Sequence, residues 1–114
     1  MNGRFVISKT TDEQFYFNLL AGNGERILTS ELYAAKQSAH TGIASVKMNA
    51  PIDQQYHRRT DAQGKSYFVL KAKNGEIIGK SESYSSTAAT ARGIQSVKTN
   101  APAAVTEDDS QPPV

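Results

Sequence analysis

The sequence predicts an α+β fold made of two copies of one unit, each with three antiparallel strands followed by one helix. Three observations carry this prediction. Offset by 51 positions without a gap, residues 16–51 match residues 67–102 with nineteen of thirty-six columns identical. Each copy holds an alternating apolar run that ends at an Asn-Gly pair, the dipeptide suited to tight hairpins. Beyond the third strand the apolar spacing changes from two to that of a helix.

The first strand is Phe5, Val6, Ile7, Ser8 and Lys9, a β-branched and aromatic run ahead of the turn-prone Thr10-Thr11-Asp12-Glu13. Its counterpart is Tyr56, His57, Arg58, Arg59 and Thr60, ahead of Asp61-Ala62-Gln63-Gly64. In the second strand Phe15, Phe17, Leu19 and Ala21 alternate with Tyr16, Asn18 and Leu20; in the other copy Phe68, Leu70 and Ala72 alternate with Tyr67, Val69 and Lys71. The Phe, Leu, Ala face is kept and is the expected core face. Asn23-Gly24 and Asn74-Gly75 then reverse the chain into third strands over 25–30 and 76–81.

Ala35, Ala39, Gly42, Ile43 and Val46 fall at helical spacing, as do Ser86, Thr90, Gly93, Ile94 and Val97. Ser85 is the expected cap of the second helix, whereas Ala34 at the same place cannot cap the first. Lys47 and Lys98 suit the C-terminal dipole, and Asn49 and Asn100 are placed for a left-handed cap before Pro51 and Pro102. Gly42 and Gly93 occupy one apolar-facing position in both helices. A helical glycine costs about 1 kcal/mol relative to alanine, so a close approach of helix to sheet is expected there, over Phe17 and Phe68.

With 114 residues, the chain fits one domain over 1–106, with repeats 1–51 and 52–102 sharing a core, since fifty residues alone bury little. Residues 51–55 are too short for an interdomain linker. Residues 103–106 suit one short further strand, and 107–114, acidic and proline-containing, read as a disordered tail. No apolar run is long enough to cross a membrane, no secretory h-region opens the chain, and cysteine is absent, so a cytoplasmic protein without membrane association is expected. The formal charge of +2 is uneven. The second copy carries eight bases and the first five, with four acids in each.

The shared signature Ala-x-Asn-Gly-Glu-x-Ile, Ser-Glu-x-Tyr and Gly-Ile-x-Ser-Val-Lys-x-Asn-Ala-Pro resembles the YegP-like family of small bacterial proteins, over about 100 of the 114 residues. The resemblance implies two tandem β-β-β-α-β units in one continuous antiparallel sheet, two helices on one face and exchanged C-terminal strands. It implies no established activity. The first copy departs from the pattern at Ala34 and Ala35, where serines are usual.

No catalytic residues, metal ligands or cofactor are expected. His40 and His57 sit at non-equivalent positions without a partner at metal-ligand spacing. Among acids kept in both copies, Glu25 and Glu76 follow the hairpin turns, and Glu31 and Glu82 precede the helices. A Glu pair meeting between the copies would offer acid and base roles. Exposed strand residues and dipole partners account for them without chemistry. Serines lack an activating histidine, and no phosphate-binding loop motif occurs.

A small binding or adaptor module is therefore the expected function, in a monomer with internal twofold symmetry. The alternative is single-stranded nucleic-acid binding on the sheet face away from the helices. Tyr16 and Tyr67, with Lys71 and with Arg58 or Arg59 on a neighbouring strand, are the candidate binding residues. The partner is expected to be protein or single-stranded nucleic acid. Tyr33 and Tyr84 are the best matched pair for a twofold-related site. Differences between copies point to a specific site in what the second copy changed.

Overall fold

Alternation of buried and half-buried side chains builds the sheet in the computed structural model, which describes residues 3–110. The order along the chain is β1 (Arg4–Lys9), β2 (Phe15–Leu20), β3 (Arg26–Thr29), α1 (Lys36–Asn49), a 3-10 turn (Asp53–Gln55), β4 (Tyr56–Thr60), β5 (Ser66–Lys71), β6 (Ile77–Lys80), α2 (Thr87–Asn100) and β7 (Val105–Asp108). These form one seven-stranded sheet in the order β4-β5-β6-β3-β2-β1-β7. The copies join where β3 and β6 pair antiparallel, with Thr29 opposite Lys80.

Phe5, Ile7, Phe17, Leu19, Leu28, Phe68 and Leu70 line one sheet face and are buried under Ala39, Ile43 and Val46 of α1 and Val97 of α2. One core therefore serves both copies. Gly24 and Gly75 take φ of +87° and +88° in their hairpins, a conformation that costs glycine nothing. The side-chain oxygens of Asn23 and Asn74 each accept from the backbone N–H two residues on, at 3.0 Å.

Only one C-terminal strand is exchanged. β7 follows α2 of the second copy and pairs with β1 of the first, and this pairing is parallel in an otherwise antiparallel sheet. After α1 the chain passes through the 3-10 turn straight into β4, so the first copy has no strand of its own to give. β7 begins two residues later than the sequence predicts and takes in Glu107 and Asp108, the start of the expected disordered tail. Backbone pairing with β1 holds these residues, and two ion pairs accompany it: Glu107 meets Arg4 at 3.5 Å and Asp108 meets Lys36 at 2.8 Å. Residues 111–114 of that expected tail lie outside the described residues.

Both helix ends differ from expectation. Ser86, one residue after Ser85, caps α2 by accepting from the Ala89 N–H at 3.0 Å; Ala35 stands at the same place before α1 with no side-chain cap. Neither C-terminus uses a left-handed cap, because Ala50 and Ala101 remain in right-handed helical geometry. Asn49 and Asn100 instead donate back to the carbonyls of Ser45 and Ser96, both at 2.8 Å. These bonds give the repeated Ser-Val-Lys-x-Asn run its structural role.

Candidate binding surface

The registers set out the sheet face away from the helices row by row. His57, Val69, Lys80, Thr29, Asn18 and Val6 follow one another across β4, β5, β6, β3, β2 and β1. Within this row Thr29 donates to Asn18 Oδ1 at 2.7 Å, and Val69 is buried between His57 and Lys80. Tyr67 lies in the next row beside Arg59, and Lys80 Nζ stands 5.0 Å from the Tyr67 ring centroid. A cation at that distance is held by the ring's negative face.

Tyr16 has no such company. Its register partner is Ser8, and the residue equivalent to Lys80 is Thr29. Because β2 and β5 run in opposite directions through the central row, Tyr16 and Tyr67 lie at opposite ends of the face, about 20 Å apart at normal strand spacing and rise. The two tyrosines do not form one platform. Arg58 pairs with Phe68 in register and so belongs to the helix side, whereas Arg59 is on the open side with Tyr67. Lys71 sits four residues from Tyr67 on the same strand, past an irregularity in the β5–β6 register. The structure thus brings Arg59 and Tyr67 together, adds Lys80, and separates Tyr16, Lys71 and Arg58 from them. The aromatic alternation revealed Tyr67; Lys80 became visible only through the register.

On the helix side, residues kept in both copies converge. Tyr33, Gly42 and Ser45 line an open groove with Glu76 and Ile78 of the other copy, and Tyr84, Gly93 and Ser96 line a second with Glu25 and Ile27. Tyr33 stacks on Phe17 with centroids 6.4 Å apart, and Tyr84 repeats this on Phe68 at 6.4 Å. Burial first, then the charges of Glu31 and Glu76, push the Tyr33 phenol up; burial, then Glu25 and Glu82, do the same for Tyr84. Both hydroxyls therefore stay protonated at neutral pH. Glu25 and Glu76 sit in separate grooves and do not pair with each other. Glu82 is bound to Arg26 across the copy boundary. Among the described residues no cluster of potential metal ligands occurs. Among the same described residues no helix is long and apolar enough to cross a membrane.

The fold and surface define a two-copy α+β repeat protein in which one sheet and one core span both units. The chain belongs to the family of the domain of unknown function DUF1508, whose model matches residues 11–56 and again 61–108. It is 54% identical over 111 residues to a UPF0339 protein of Bordetella pertussis, covering 97% of this chain and 99% of that protein. It is 49% identical over 110 residues to the UPF0339 protein YegP of Escherichia coli, covering 96% and 100%. The family is the one its repeated signature resembles. The solution NMR structure of YegP from E. coli, described as a protein of unknown function, superposes with a TM-score of 0.93 at 48% identity, covering 99% of this chain and 97% of that one. That of a UPF0339 protein from Shewanella oneidensis superposes with a TM-score of 0.90 at 48% identity, covering 96% and 93%.

Proposed function

We propose that this protein is a binding module without catalytic activity, and that its working surface is the outer half of the second copy. The observation that carries the reading is the cluster of Arg59, Tyr67 and Lys80. Two bases flank one aromatic ring there, while the first copy has Ser8, Tyr16 and Thr29 at the same positions. Bases gained around a retained aromatic favour an anionic partner. The kept carboxylates support binding over catalysis, since Glu25 and Glu76 each face a protonated phenol and Glu82 is tied to Arg26. We assign the module to the cytoplasm on its lack of cysteines.

The same cluster favours single-stranded nucleic acid as the second reading, because an aromatic ring between bases is how sequence-tolerant binders stack a base and neutralise its phosphates. Substituting the first copy's residues, Arg59→Ser with Lys80→Thr, tests both readings with changes the fold already accepts elsewhere. In affinity capture from cell extract, read for protein and nucleic acid, the native chain should retain a partner that the double variant loses. Equal retention by both would sink this surface. Capture of nucleic acid with an affinity that falls with salt would select the second reading.

A further inference from the structure

The two ends of the sheet are finished differently. β1 is covered along its outer edge by β7, whereas β4, at the opposite end, pairs among the described residues only with β5. His57, Arg58, Arg59 and Thr60 are all exposed on it. An unpaired edge presents a row of backbone donors and acceptors to any extended chain. The molecule cannot cover this edge with the segment that covers β1, because β7 is engaged there and the chain leaving α1 enters β4 itself.

The covered edge shows what kind of segment fits. β7 reads Val-Thr-Glu-Asp and runs parallel to β1, with Arg4 opposite Val105, Phe5 opposite Thr106, Val6 opposite Glu107 and Ile7 opposite Asp108. The Asp109 N–H then donates to the Ile7 carbonyl at 2.8 Å. One base at the start of β1 and one on α1 hold the acids: Arg4 for Glu107 and Lys36 for Asp108. In the second copy the equivalents of Arg4 and Lys36 are Gln55 and Thr87, which carry no charge. Its bases stand instead within β4, where Arg58 and Arg59 replace Ile7 and Ser8.

The geometry points to an extended acidic polypeptide segment that adds to β4 as a parallel strand, in the register by which β7 lies on β1. This rests on the binding-module reading above and names its partner chemistry. In that register the positions of Glu107, Asp108 and Asp109 fall beside His57, Arg58 and Arg59. Backbone pairing supplies affinity and the arginines select for acid on both faces of the added strand. A second copy of the chain is a poor occupant, since two β4 edges paired with one another set Arg58 and Arg59 against the same residues.

The test uses the full chain, isotopically labelled, at low salt. The probe is a synthetic peptide with the sequence of residues 103–110, compared with one carrying Gln and Asn for its acids. The acidic peptide should shift the β4 amides His57 to Thr60, and the neutral one should bind at least about tenfold more weakly, a difference of about 1.4 kcal/mol. Arg58→Glu with Arg59→Glu, both exposed and so harmless to the core, should abolish the shifts. Shifts confined to β1, meaning exchange with the chain's own β7, would overturn the proposal. So would equal binding of the neutral peptide. A short oligothymidylate that moves Tyr67 and Lys80, with the peptide moving nothing, would overturn the acidic-segment proposal while leaving the binding-module reading in place. If neither probe moves any signal and capture retains nothing, that reading falls as well.

Discussion

The hydroxyl of Tyr33 occupies the space in which Gly42 would carry a side chain. A Cβ on Gly42 would lie 2.6 Å from the phenol oxygen and 3.0 Å from the Phe17 ring, and a Cβ on Gly93 would collide with the Tyr84 hydroxyl. Each helix glycine is thus explained by a tyrosine more than by the phenylalanine expected beneath it. The repeated Tyr and the repeated Gly are two halves of one contact.

From this contact, Gly42→Leu should lower stability by about 1 to 3 kcal/mol through overpacking. Gly42→Ala gains about 1 kcal/mol of helix propensity against the same clash. It should therefore be better tolerated in a Tyr33→Phe background than alone. Denaturant melts of the four-member cycle measure the coupling; additive effects would show that the hydroxyl is not what excludes the side chain.

Inside the second copy, Thr90 is fully buried, with its hydroxyl 2.8 Å from Ser66 Oγ and 3.0 Å from the Ser86 carbonyl. The first copy has Ala39 and Phe15 at the positions of Thr90 and Ser66. Thr90→Val should cost about 1 to 3 kcal/mol by leaving Ser66 short of a partner. Adding Ser66→Ala should recover part of that loss. Thermal unfolding of both variants decides the matter.

The attachment of β7 should be sensitive to acid. Hydrogen bonds from Lys36 and Ser110 lower the Asp108 carboxyl from its ordinary 3.8 to about 2. A folded value below the unfolded one means that the contribution is complete above about pH 4 and disappears as the pH falls through 2. Amide signals of Val105 to Asp108 should broaden or shift in that window before those of β2 do. In Lys36→Met the apparent Asp108 value should move up toward 3.8; no movement would show that Lys36 does not hold the strand.

Arg26 and Glu82 join the copies across β3 and β6, yet both side chains are about half exposed. An exposed pair contributes about 0 to 1 kcal/mol. Glu82→Gln should therefore change the melting midpoint only slightly, with the difference vanishing in high salt. A large loss would mean that the copy boundary depends on this pair more than on the shared core.

Much of the fold was legible because both copies say the same thing twice. Phe17 with Phe68 and Leu19 with Leu70 marked the core face, and Asn23-Gly24 with Asn74-Gly75 marked the hairpins. What could not be read was long-range. β7 lies parallel on β1 with Arg4 and Lys36 meeting acids about 100 and 72 residues away, and no local pattern encodes such a meeting. The surface shows the same limit. Alternation put Tyr16 and Tyr67 on one face, but the opposed direction of the copies separates them, and only the register places Lys80 over Tyr67 while turning Arg58 to the other side.

The parallel pairing of β1 with β7 also fixes how the molecule would answer to force. The chain enters β1 at the Arg4 end and leaves β7 at the Asp108 end, and these ends lie at opposite extremities of the pair. Tension applied to the two ends would load the β1–β7 hydrogen bonds in shear, all at once. The β4–β5 hairpin, pulled at its open end, would instead unzip one bond at a time. The edge of the sheet closed by β7 is thereby its mechanical clamp.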